Sequence, residues 1–131
     1  MLIMGVRVQV PLSAQKHVSI LTKMQNNFSE QSKIKMDKYV HLVYKLSRNF
    51  PKEKLCGVTS QIRRSSLSVI LNYIEGFARH KKAVKLNFWE ISYGSLKESK
   101  YLLHFCLMEK YINEKEYKEM VELAEEIGAM L

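Results

Sequence analysis

Turn-forming residues are scarce in this chain: two prolines and five glycines are spread over 131 residues. Sandwiches and barrels need many more turn signals, so the scarcity excludes an all-β plan and favours long uninterrupted helices. Cysteine is nearly absent. Cys56 and Cys106 stand alone, with no CxxC spacing and no histidine at ligand distance in sequence. That excludes a disulfide framework and a zinc site, and suits two free thiols in a reducing, cytoplasmic setting. No run approaches the ~18 apolar residues that a membrane-spanning helix needs.

The usual marks of chemistry are missing as well. The histidines His17, His41, His80 and His104 fall in different segments, and none has an obvious Ser, Cys or carboxylate partner. No Glu-x-x-His pair, phosphate-binding glycine loop or dinucleotide fingerprint occurs. The expectation is a protein that is not an enzyme, with no cofactor and no metal.

What the chain has is basic charge, unevenly placed. The formal net charge is +8. Residues 1–35 and 36–131 each carry +4, but the last 19 residues, with two Lys and six Glu, stand at −4, leaving residues 36–112 at +8. A basic middle attracts phosphate, although charge alone speaks to non-specific attraction and not to identity.

The first 23 residues fit the remainder badly. Strand-like alternation runs over Val6–Val10, followed by Pro11, and no continuous apolar region makes a signal peptide. Gly5 to Ala14 resembles the translated end of a transfer-RNA gene, so translation is expected to start at Met24 or Met36. The intact mass of the natively expressed protein tests this. Residues 1–27 are read as a leader, either mis-assigned or disordered, and residues 28–131 as the folded domain.

Four helices follow. The first is expected from about Ser29 to Arg48, with Tyr39, Val40, Val43 and Leu46 on one face and Asn49-Phe50-Pro51 ending it. The second covers Val58–Arg79, with Thr59 or Ser60 as its cap. The third, about Val84 to Glu109, lines up Trp89, Leu96, Leu103 and Leu107, and beside them a row of Ser92, Ser95 and Ser99 that predicts a close helix neighbour. In the fourth, Asn113 and Glu116 have capping-box spacing, and Tyr117, Met120, Ala124, Ile127 and Leu131 form one strip beside a solvated, glutamate-rich face. Short loops between four such helices give an all-α, antiparallel up-and-down four-helix bundle.

The second helix is unusual. At ~100° per residue its polar residues gather into one narrow stripe, Gln61, Arg64, Ser65, Ser68, Asn72, Glu75 and Arg79, while the apolar arc is wider than on an ordinary surface helix. Glu75 and Arg79 are spaced to pair. The stripe has three readings: plain surface, a hydrogen-bonded network between subunits, or a nucleic-acid contact. Gln and Asn without Lys favour the subunit interface, and Gln61, Ser68, Asn72 and Glu75 are its candidate residues. Arg63, Arg64, Arg79, Lys81, Lys82 and Lys85 are the candidate nucleic-acid contacts, because arginine suits bidentate phosphate recognition. The plain alternative is a solvated helix end with one ion pair.

Leu55, Thr59-Ser60-Gln61-Ile62-Arg63-Arg64, Ser68, Asn72, Ile74-Glu75-Gly76 and Arg79 resemble the signature of the 23S rRNA intervening-sequence proteins, the S23 ribosomal protein family. Val43-Tyr44-Lys45-Leu46 with Phe50-Pro51, Gly94-Ser95-Leu96-Lys97-Glu98 and Tyr111-Ile112 extend the resemblance over about Phe28 to Leu131. The resemblance implies a four-helix bundle assembling as a homopentamer, and a link to RNA, ribosomal RNA first of all. A related branch, the accessory protein of diversity-generating retroelements, pairs with a reverse transcriptase. The chain departs from the pattern in lacking the tryptophan usual near Lys33 to Met36, and in carrying Ser65-Ser66 and Leu71 where other residues are usual. The leading expectation is a non-enzymatic, oligomeric RNA-binding protein. The alternative is a protein-interaction scaffold, partnering a reverse transcriptase or ribosomal component without direct RNA contact.

Overall fold

Pro11, which a sequence reading takes as a break, opens the first helix. Its carbonyl accepts the amide of Gln15 at 3.0 Å, and α1 then runs unbroken over Leu12–Ser47. The helix therefore starts well before Ser29. The computed structural model describes residues 2–3, 6–7 and 11–131. The chain divides into two units, residues 1–31 and residues 32–131, and α1 contributes to both.

In the first unit, β1 (Leu2–Ile3) pairs antiparallel with β2 (Val6–Arg7), Leu2 opposite Arg7 and Ile3 opposite Val6. The expected alternation continued to Val10, and residues 8–10 lie outside the described set. The α1 side chains Leu12, Val18, Leu21, Met24 and Phe28 are exposed. Met24 and Met36 both fall inside α1, the latter fully buried in the second unit.

The second unit holds the bundle. Met36, Tyr39, Val40 and Val43 point from α1 into its core. After Ser47 the chain turns through Phe50-Pro51 and a short 3-10 turn, Lys52–Lys54. A wide helical turn, Leu55–Thr59, kinked at Gly57, leads into α2 (Ser60–Phe77). The expected side-chain cap on α2 is not made. A cap residue must be extended, whereas Thr59 already has helical dihedrals (φ −59°, ψ −49°) because the chain is coiled before it arrives. Its hydroxyl is buried without a partner.

α3 (Lys82–Met108) and α4 (Glu114–Met130) complete the bundle. The capping box of α4 forms as its spacing predicts: the Glu116 amide donates to Asn113 Oδ1 at 2.8 Å, and the Asn113 amide to Glu116 Oε1 at 3.0 Å. Cross-helix partners establish the topology. Ser92 meets the Val69 carbonyl, Ser68 meets Ser95 and Gln61 meets Glu98, so α2 and α3 are antiparallel. Lys100 with Glu125, and Tyr93 against Gly128, give the same relation for α3 and α4. Arg63 reaching Ser47 and Lys35 reaching Glu126 place α1 beside both α2 and α4. The fold is an all-α four-helix bundle.

The serine row on α3 does what small residues in line permit. Ser92 Oγ donates to the Val69 carbonyl at 2.6 Å and Ser99 Oγ lies 2.7 Å from Tyr39 Oη, all in the buried interior. Ser65 and Ser66 are buried too, and bond back to the carbonyls of Ile62 and Arg63 within their own helix. Small hydroxyls thus let α2 sit close to its neighbours without leaving those oxygens unpaired.

Candidate nucleic-acid interface

The short link between α2 and α3 brings the end of one helix against the start of the next. Gly76 makes this possible. A Cβ there would fall inside the van der Waals envelope of Trp89 Nε1, so the indole lies directly on the α2 backbone. Its N–H donates to the Tyr73 carbonyl at 3.3 Å. Tyr73 stacks on Trp89 at 6.0 Å between centroids, and Phe77 meets both rings at 5.1 and 5.2 Å. Aromatic pairs at these separations are mutually stabilising.

Cations decorate the cluster. Lys85 Nζ is 5.8 Å from the centroid of Phe77 and 6.0 Å from that of Trp89. The Arg79 guanidinium lies 4.9 Å over Phe88 while pairing with Glu75, as its spacing predicts. His80, Lys81 and Lys82 are exposed between them, and Phe77 keeps much of its ring in solvent. Arg79, Lys81, Lys82 and Lys85 therefore gather at one corner, around rings that the basic pattern alone did not reveal. The signal that could have found them is the interleaving of cations and aromatics at three- and four-residue steps on α3: Lys82, Lys85, Trp89, Tyr93 and Lys97.

Arg63 and Arg64 do not join this corner. They lie near the start of α2, about 22 Å along the helix axis from Arg79. Arg63 is engaged with α1, its Nε donating to Ser47 Oγ at 2.8 Å and its guanidinium 4.9 Å over the Tyr44 ring. Arg64 is exposed.

Part of the polar stripe of α2, Gln61 and Ser68, meets α3. Gln61 Nε2 donates to Glu98 Oε1 at 2.6 Å, Ser68 and Ser95 hydroxyls are 2.9 Å apart, and Asn72 Nδ2 donates to both the carbonyl and the hydroxyl of Ser68 at 2.8 Å. Gln61, Ser68, Asn72 and Glu75 thus all find partners within the chain. Beside them α2 leaves apolar side chains uncovered, with the exposed Arg64 among them: Leu67, Leu71 and Ile74 are 37%, 54% and 47% exposed.

The profile of the 23S rRNA-intervening sequence protein family matches residues 18–131. The chain belongs to that family. Among solved structures it is similar to a protein of unknown function from the S23 ribosomal protein family of Bacteroides thetaiotaomicron VPI-5482, with a TM-score of 0.70 and 22% identity over 76% of this chain and 93% of that one. At that identity the likeness concerns the fold. No curated protein matches the chain. Among the described residues, no helix is long and apolar enough to cross a membrane, and no group of three or more His, Cys, Asp or Glu could hold a metal ion.

Proposed function

We propose that this member of the intervening-sequence family is an RNA-binding protein that works by binding and not by catalysis, as an oligomer in the cytoplasm. The observation that carries the reading is the α2–α3 corner, where Arg79 and Lys85 are held over aromatic rings beside exposed Lys81 and Lys82. Cations with accessible rings suit a ligand that offers both phosphates and base faces. The family description, a protein of an intervening sequence of 23S rRNA, points the same way and makes ribosomal RNA the first RNA to try.

Binding should weaken with salt. Each phosphate neutralised adds roughly 0.7–0.9 to the slope of log affinity against log salt. Replacing Lys81 and Lys82 together by Gln should lower the slope by about 1.4–1.8 if both contact phosphate. No binding to structured RNA at low salt would end the reading.

The exposed apolar line of Leu67, Leu71 and Ile74 favours a second activity, association through α2. A second copy of the chain is the partner we infer, and the homopentamer implied by the family resemblance would cover this line and seat the Gln61–Asn72–Glu75 edge beside it. The rival is a scaffold that gives the same line to a different protein, such as a reverse transcriptase or a ribosomal component, and has no RNA contact of its own. A monomer at micromolar concentration in sedimentation, together with absent RNA binding, would favour the rival.

A further inference from the structure

Two open clefts between α3 and α4 share Tyr93. One is lined by Leu86, Trp89, Tyr93 and Leu131. The other continues along the same helix pair past Lys97, Ala124 and Gly128. The floor is low because α4 presents small residues there: Ala124 is fully buried, and a Cβ at Gly128 would lie 3.6 Å from Leu96 Cδ2 and 3.9 Å from Tyr93 Cε2. On α3, Lys82, Lys85, Trp89, Tyr93 and Lys97 recur at three- and four-residue steps over about 22 Å of helix; of these Trp89 and Tyr93 line the first cleft and Tyr93 and Lys97 the second. Lys97 Nζ sits 5.2 Å from the Tyr93 ring centroid, and Lys85 caps Trp89 at 6.0 Å. Tyr93 is 42% exposed.

The geometry points to this trough as a track for an unpaired RNA strand, continuous with the α2–α3 corner through Lys85; the inference rests on the RNA-binding reading. A paired helix offers phosphates but hides its base faces, and would leave Trp89 and Tyr93 unused. An unpaired strand offers both. Its bases lie on the exposed Tyr93 ring and on the part of Trp89 that lines the cleft, and Lys85 and Lys97 move from the rings to the phosphates. The local charge permits this. Lys100 is paired with Glu125, which also lies in the field of Lys97, and Glu90 stands on the wall, so the cleft sets Lys97 and Lys100 against these two carboxylates, with Lys85 at its Phe77–Trp89 end. Stacking needs only a π face, so the track reads strandedness and not sequence.

The test uses the full chain with two fluorescent RNAs of equal length, one single-stranded and one duplex, each over a salt series. The unpaired RNA should bind more tightly. Tyr93→Ala should weaken it roughly 5- to 100-fold, the loss of one base–aromatic stack, and leave duplex affinity within about two-fold. Tyr93→Phe, which keeps the ring, should restore binding, and an unchanged melting temperature for both variants shows that the bundle is intact. Lys97→Gln should lower the salt slope for the unpaired RNA alone. If the wild type binds RNA but Tyr93→Ala affects both RNAs equally, or neither, the track is wrong while the RNA reading stands; a trough that holds a protein helix gives this second result. If neither RNA binds at low salt, the RNA reading itself fails and the track with it.

Discussion

Tyr39 sets a cost against a benefit in the core. Its ring is fully buried and its hydroxyl rests 2.7 Å from Ser99 Oγ. Burial pushes the phenol up to about 12, against some opposition from the Ser99 hydrogen bond, and burial likewise raises the Cys106 thiol to about 11. Both groups hold their protons more tightly folded than unfolded. Their contribution is complete below pH 9 and is lost as pH rises through 11 and 12, with Tyr39 accounting for about 2–3 kcal/mol. Urea midpoints measured from pH 8 to 12 should fall, and Tyr39→Phe should remove the upper part of the fall. At neutral pH the same substitution should cost about 1 kcal/mol, since Ser99 keeps its bond to the Leu96 carbonyl. A second residue is strained in a different way. Lys110 adopts φ 62° to close α3, with the Tyr111 amide reaching the Cys106 carbonyl at 2.8 Å and the Lys110 amide reaching Leu107 at 3.1 Å. Such closures normally use glycine. Lys110→Gly should therefore stabilise the fold by about 0.5–1 kcal/mol in thermal or urea unfolding, the left-handed strain relieved exceeding the added chain entropy.

At the scale of elements, α4 owes its start to its own sequence and its attachment to its neighbours. The Asn113–Glu116 box is local and was fully legible, and its acidic face is solvated as expected, with two of its carboxylates also paired across the bundle. Glu125 accepts a hydrogen bond from Lys100 and Glu126 one from Lys35, and these bonds, then the lysine charges, hold both carboxyls below the ordinary range. A lowered pKa adds stability above the unfolded value near 4.5, and that stability is lost as pH falls through the folded values. The melting temperature should drop between pH 6 and 3, and drop less in a Lys35→Met, Lys100→Met variant. Less of α1 and α2 could be read. The Leu12–Phe28 part of α1 has helix-forming residues but no buried stripe to give it a period, so alternation near Val6 dominated the reading. Thr59 looked like a cap because a cap is inferred from residue type, and nothing in its type reveals that the chain is already coiled before it. Lys110 was missed for the converse reason: no glycine marks that helix end.

For the whole molecule, the exposed line on α2 is the face through which we propose that the chain self-associates. Leu71→Glu removes apolar surface that the monomer leaves in water, so it should change monomer stability by less than about 0.5 kcal/mol. In sedimentation it should shift the distribution toward monomer while circular dichroism stays constant. A wild type already monomeric at micromolar concentration would rule out self-association through this face.

The sequence alone determined the helix count, the core faces of α1, α3 and α4, the α4 cap, the Glu75–Arg79 pair and the meaning of the serine row. These follow from local propensity and from a periodicity that a backbone must obey wherever it lies. Tertiary structure alone decided what each polar group faces. It turned Gln61 and Ser68 toward α3, left Leu67, Leu71 and Ile74 in solvent, separated Arg63 from Arg79 by the length of α2, and set Phe77, Trp89 and Tyr93 among the lysines. Helical phase tells which residues share a side of one helix. Only packing tells which side meets another helix and which is left for a partner.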